Sequence, residues 1–312
     1  MEKNETNEIN EKKTITPDNY VPEKYRKEKQ DKRPFQAIGF SFLTMLLFIG
    51  IQIVSILPFM LGGMLEAVTD YKKTASDITQ EEVMDVMLKS VNTISLTILA
   101  TGISLIVAAL WYKKVYCKGY GIKDLKTSCK RIFTPSVIIG IVMAAICLFY
   151  LSNFLVIIIG YISPEAMKQY TEIIEKSQFA EANWEIIMVT VILAPVNEEC
   201  IMRGIIFCNL KKHMSSVYAI VISALFFGIF HLNIVQGIYA AVLGLFMAYL
   251  ANKYQSILAS LLFHAVFNAT NYIMLIFPET VQNSKILSFV VPIITGILWY
   301  FLECRRKYDR KD

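Results

Sequence analysis

Apolar runs of about 20 residues recur along most of this chain, separated by short polar stretches. A run of that length crosses roughly 30 Å of hydrocarbon as a helix. Helices of a soluble domain instead carry one apolar stripe and a polar face. The pattern predicts eight spans, at about 36–60, 92–112, 134–161, 184–208, 215–232, 235–251, 256–277 and 285–302. The expected fold class is therefore all-α, a polytopic membrane bundle of about eight transmembrane helices occupying 35–304. Pro58 with Gly62 and Gly63 is expected to end the first helix, and Pro278 the seventh. No Pro-, Gly- or Ser-rich linker and no solenoid-period repeat divides the chain. Residues 1–34, rich in Lys, Glu and Asn, read as a disordered polar tail, and 305–312 as a basic one. The charged start is too long for a signal-peptide n-region, and the first apolar run is long enough to remain as a helix.

Composition agrees: 55% of the 312 residues are hydrophobic. The net charge of +5 invites a nucleic-acid reading, but the basic residues gather in membrane-flanking loops. Six Lys and Arg lie in 24–33, seven in the loop 113–133 and five in the C-terminal tail, against three in 61–91 and two in 162–183. That alternation is a topology signal and puts both termini of a cell-membrane protein in the cytoplasm. Trp111, Trp184 and Trp299 fall at span ends, where indoles anchor at the interface. The six cysteines form no CxxC pair and three lie inside apolar segments, which argues against a disulfide framework or a thiolate zinc site.

Against this apolar background a few polar residues stand out. The fourth span reads ILAPVNEECIMRGIIF and holds Glu198, Glu199 and Arg203. The fifth ends FFGIFHL with His231, and the seventh reads SLLFHAVFNAT with His264 and Asn268. A charge at bilayer depth costs a few kcal/mol, so such residues mark a functional site by default. Glu199 and Arg203 are one helical turn apart and can pair, with Glu198 about 100° away. A buried ion network holding helices together accounts for the fourth span alone, and a lone His at a helix end is more often a packing residue than a ligand. Rise per residue puts Glu198, His231 and His264 roughly 18, 24 and 12 Å from the cytoplasmic face, a spread that tilt can absorb. Three helices therefore bring two carboxylates, two imidazoles, an amide and a guanidinium within reach of one another inside the bundle.

Such a group supports hydrolysis. A glutamate can take a proton from water, the imidazoles can orient that water and protonate a leaving amine, and Asn268 can stabilise an oxyanion. Alternatively Glu198, His231 and His264 can hold a divalent metal such as zinc with an open water position, with Glu199 then the base. No HExxH is present.

APVNEECIMRG, FGIFH and HAVFN resemble the EExxxR, FxxxH and HxxxN motifs of the CAAX-protease and bacteriocin-processing (CPBP, or Abi) family, over roughly 184–275. Its best-known members resemble the type II CAAX prenyl endopeptidase, an intramembrane protease. The resemblance implies that Glu198 is the water-activating base and that Glu199 with Arg203 supports it. It further implies that His231 and His264 complete the site, and that Asn268 serves the oxyanion. The expected partners are the lipid bilayer and a peptide or membrane-protein substrate, prenylated in the CAAX case, with no nucleic acid. Two other classes compete. A non-enzymatic scaffold or bacteriocin self-immunity protein would keep the motifs as structural glue. A proton-coupled transporter would use Glu and His as a relay, but the chain shows no second copy of the charged motif.

Overall fold

Lipid offers no hydrogen bonds, so a chain this apolar must satisfy its backbone internally, and helices do so within one segment. The computed structural model describes residues 33–70, 93–115, 125–176, 183–282 and 284–308, and among these every element is helical. The tail 1–34 except its last two residues, and 309–312 of the basic tail, lie outside the described residues.

The helices are α1 (Pro34–Asp70), α2 (Thr93–Val115), α3 (Leu125–Ile132), α4 (Pro135–Ile162) and α5 (Pro164–Lys176). A continuous helical run, α6, covers 184–213. It is followed by α7 (Ser216–Phe230), α8 (Ile234–Tyr254), α9 (Ile257–Met274), the single turn α10 (Glu279–Gln282) and α11 (Lys285–Tyr308). Five of these, α1, α2, α4, α8 and α9, are long and apolar enough to cross a membrane, and α7 and α11 contain shorter apolar stretches. Together with α6 they correspond to the eight expected spans, but only five satisfy span length and composition outright. The chain is a multi-pass, all-α membrane protein.

The first helix departs from expectation. It runs through Pro58 and on to Asp70. Proline removes one backbone bond, whereas stopping the helix there would orphan several carbonyls beside apolar side chains. Pro278 behaves as expected: α9 stops at Met274, four residues before it. The basic and acidic loops also contain the short helices α3 and α5, which the hydrophobic pattern does not announce.

Apolar residues cover both the outside and the inside of the bundle. Leu43, Val54, Ile106, Leu110 and Ile293 are exposed, while Phe48, Ile201, Ile205, Phe227 and Phe263 are buried. Polarity is the inverse of a soluble protein's: Glu199, Arg203, Asn197, Ser104, Ser223 and Ser260 are all at most 1% exposed. The packing that brings α7 close to α8 rests on small residues. A Cβ on Gly228 would meet the Gly237 carbonyl oxygen at 2.5 Å, and one on Gly244 would meet the Ala224 Cα at 3.0 Å.

Candidate active site in the membrane core

The segment carrying both glutamates is not a regular α-helix. Within α6, Val189–Leu193 and Cys200–Phe207 are wound as π turns, flanking the α-helical piece Ala194–Glu199. A π turn carries one extra residue and so rotates everything after it by about 100° relative to an unbroken helix. The first is placed just before Pro195, where a regular α turn would press the proline ring against a carbonyl. Each π turn has a carbonyl filled from a neighbouring helix. Asn268 Nδ2 donates to the Thr190 carbonyl at 2.7 Å, and Ser223 Oγ on α7 donates to the Met202 carbonyl at 3.3 Å.

Glu199 and Arg203, the pair separated by one turn in the sequence, join at 3.0 Å from Nη1 to Oε1, both fully buried. Arg203 Nη2 donates to the Gly244 carbonyl of α8 at 3.1 Å. The guanidinium lies 4.6 Å from the centre of the Phe227 ring, within cation–π range. Its Nε is a buried donor without a hydrogen-bond partner, and the residue lines a cavity of about 30 Å³ together with Tyr112, Lys211 and Ser256.

His264 lies between the two glutamates. Its Nδ1 is 3.3 Å from Glu199 Oε1 and its Nε2 is 3.8 Å from Glu198 Oε2. Paired with Arg203, Glu199 Oε1 is placed to accept from Nδ1, which leaves Nε2 facing Glu198. The Nε2–Glu198 separation is too long for a direct hydrogen bond. Glu198 Oε2 and Glu199 Oε2 are both buried without a hydrogen-bond partner. The Glu198 side chain is 18% exposed against 0% for Glu199, so the less buried carboxylate is also the one not ion-paired with Arg203.

The second histidine is set apart. His231 ends α7, and its Nδ1 is 2.8 Å from the Phe227 carbonyl one turn back. Its ring lies edge-on to Phe227 at 4.8 Å, and His264 meets the same ring at 5.8 Å. Phe227 therefore links the two imidazoles with the guanidinium. Among the described residues His231 makes no ion pair or hydrogen bond with either glutamate. The alternative ligand trio Glu198, His231 and His264 does not converge, and no group of three His, Cys, Asp or Glu among the described residues is arranged to hold a metal ion. As placed, these residues do not fit a zinc centre.

On α9 a polar stripe at four-residue spacing faces α6: Ser260, His264, Asn268 and Tyr272. Ser260 lies beside Glu199, and the Tyr272 hydroxyl is 2.7 Å from Thr190 Oγ1. Further along, Ser104 of α2 donates to Asn197 at 3.0 Å. Tyr239 of α8 lies near Glu198 and Tyr170 of α5. Of these helpers, the Ser260 and Tyr272 stripe could have been found by extending the HxxxN spacing one step each way. Thr190, Phe227, Gly244, Tyr239 and Tyr170 leave no such signal.

Residues 180–270 match the family model described as Type II CAAX prenyl endopeptidase Rce1-like. That segment is similar to the CAAX proteases. The match covers α6 through most of α9, the stretch that contains all six polar residues singled out by the three motifs. It bears out the resemblance, and it supports a membrane-embedded protease acting on peptide substrates. No curated protein and no solved structure matches the chain.

Proposed function

We propose that this protein is an intramembrane endopeptidase in which Glu198 activates water without a metal. The observation that carries the reading is the 3.8 Å gap between His264 Nε2 and the unpartnered Glu198 Oε2. A water between them can hydrogen-bond both. Two carboxylates and one guanidinium leave the cluster with one net negative charge, the sign suited to receiving a proton. Glu198 takes that proton from the water as its oxygen adds to the carbonyl carbon of the scissile peptide. The same proton then passes to the amine nitrogen as the C–N bond breaks. Glu199, held by Arg203 and accepting from His264 Nδ1, fixes the imidazole in one orientation. Asn268 has a second amide N–H beyond the one donated to Thr190, and this reading assigns it to the oxyanion.

The substrate class that fits the matched family is a membrane-associated peptide or protein, including a prenylated CAAX terminus. Loop charge supports an orientation with both termini in the cytoplasm. The test is hydrolysis of a membrane-inserted reporter peptide by purified protein in water enriched in ¹⁸O, with the new carboxyl terminus read by mass spectrometry. Glu198→Gln keeps shape and burial, so it should abolish the labelled product while melting like the parent. A Glu198→Gln protein that still cleaves refutes Glu198 as the base, and one that unfolds instead favours the reading of the cluster as structural glue.

A further inference from the structure

The segment that aims both glutamates contains a proline, and the bond that proline cannot make is supplied from another helix. In the first π turn the Ala194 N–H donates five residues back, to the Val189 carbonyl. In that register the next N–H, from residue 195, belongs to the Thr190 carbonyl. Pro195 has no N–H to give. Asn268 Nδ2 occupies that place, 2.7 Å from the Thr190 oxygen. Four residues along α9, Tyr272 closes on the Thr190 hydroxyl, whose own hydrogen-bonding reaches back to the Ile186 carbonyl at 2.8 Å. Thr190 is thus held at both its carbonyl and its side chain by the helix that also carries His264.

We propose that Asn268 is a positioning residue for Glu198 and Glu199. One N–H of its amide replaces the backbone N–H missing at Pro195, and this holds α6 in the π turn that points the carboxylates at α9. The extra residue of that turn decides which side of α6 faces His264. A carbonyl left open inside the bundle would favour rewinding the turn, with the glutamates rotating away from the imidazole. The role is separate from the oxyanion role assigned to the second N–H. It rests on the proteolytic reading only where activity is the readout.

Pro195 also supplies the test, because Pro195→Ala returns the missing backbone donor. Asn268→Leu, Pro195→Ala and the double variant are compared with the parent as purified full-length protein in detergent micelles, by thermal melting and by kcat and KM on the reporter peptide. Asn268→Leu should melt earlier and lose cleavage. Pro195→Ala alone should melt close to the parent. The double variant should recover the melting temperature and KM. Its kcat should stay lower by roughly 10²-fold, the usual loss of one oxyanion donor. If Asn268→Leu does not accumulate, recovery of folded protein in the double variant is the readout. A double variant that melts or fails like Asn268→Leu overturns the proposal, as does an Asn268→Leu protein that melts like the parent. Full recovery of kcat in the double variant supports positioning and removes the oxyanion assignment. A parent that cleaves nothing removes the proteolytic reading, and the melting comparison still decides the proposal.

Discussion

Breaking the Glu199–Arg203 pair from one side should cost far more than removing it from both. Arg203→Met keeps most of the stem's packing and deletes three interactions of the guanidinium. These are the 3.0 Å bond to Glu199, the 3.1 Å bond to the Gly244 carbonyl and the contact with the Phe227 ring at 4.6 Å. Each charged hydrogen bond is worth about 1.5–3 kcal/mol and a desolvated cation–π contact about 2 kcal/mol. Part of that sum is offset by no longer burying the cation. Measured losses for breaking a buried pair run about 3–5 kcal/mol, because the remaining charge has nowhere to go. At about 1.4 kcal/mol per factor of ten, the unfolding equilibrium shifts by roughly 10²- to 10⁴-fold. Glu199→Gln should cost a similar amount by stranding Arg203, which is fully buried. The double variant Glu199→Gln/Arg203→Met leaves no stranded charge and should cost far less than the two singles together, with a coupling of about 3 kcal/mol. Reversible unfolding in mixed micelles of mild detergent and dodecyl sulfate gives all four stabilities. Single-variant costs that add to within about 0.5 kcal/mol would show that the pair is not what holds this part of the bundle. The activity of the double variant is a separate matter: His264 would lose the acceptor that orients it, so no recovery of cleavage is expected.

Four further outcomes follow from the geometry and from the loop charges. Gly228→Ala places a methyl 2.5 Å from the Gly237 carbonyl, which is backbone and cannot swing aside, so α7 and α8 must part. The cost should be about 1–3 kcal/mol in melting experiments, with activity lost because Phe227 and His231 move with α7. Gly204→Ala meets the Tyr112 ring at 2.8 Å, a side chain that can rotate, and should melt closer to the parent. Single cysteines near 120 and 308 should label only from the cytoplasm and those near 75 and 170 only from outside; labelling of 75 and 120 from one side refutes the orientation. Exhaustive chelation followed by elemental analysis should leave cleavage intact, and loss of activity restored specifically by zinc would recast Glu198, His231 and His264 as ligands brought together on binding.

Much of the candidate site is legible in the sequence because lipid makes polarity conspicuous. In a soluble protein Glu198 or His264 would be one polar residue among many, but inside apolar runs each demands a partner. The four-residue spacing of Glu199 and Arg203 yields their contact directly, since both lie on one helix and need no tertiary information. The distribution of His231 and His264 is different. Their motifs look equivalent in sequence, yet only His264 reaches the glutamates, because His231 sits beyond the end of α7 with its Nδ1 at the Phe227 carbonyl. Partners contributed by apolar or small residues, such as the Phe227 ring and the Gly244 carbonyl, carry no polarity to give them away.

The sequence by itself determined that the chain is helical and apolar enough for a membrane, roughly where most of its helices lie, and which six side chains are out of place in lipid. Those properties depend on local composition and on the length of apolar runs, both of which are summed along the chain. Tertiary structure alone decided the facing of the carboxylates. A π turn inserts one residue into the helical count, and nothing in a 3.6-residue periodicity records it. It persists because Pro195 leaves one carbonyl without a donor and Asn268, 73 residues further along the chain by its number, arrives on α9 to fill it.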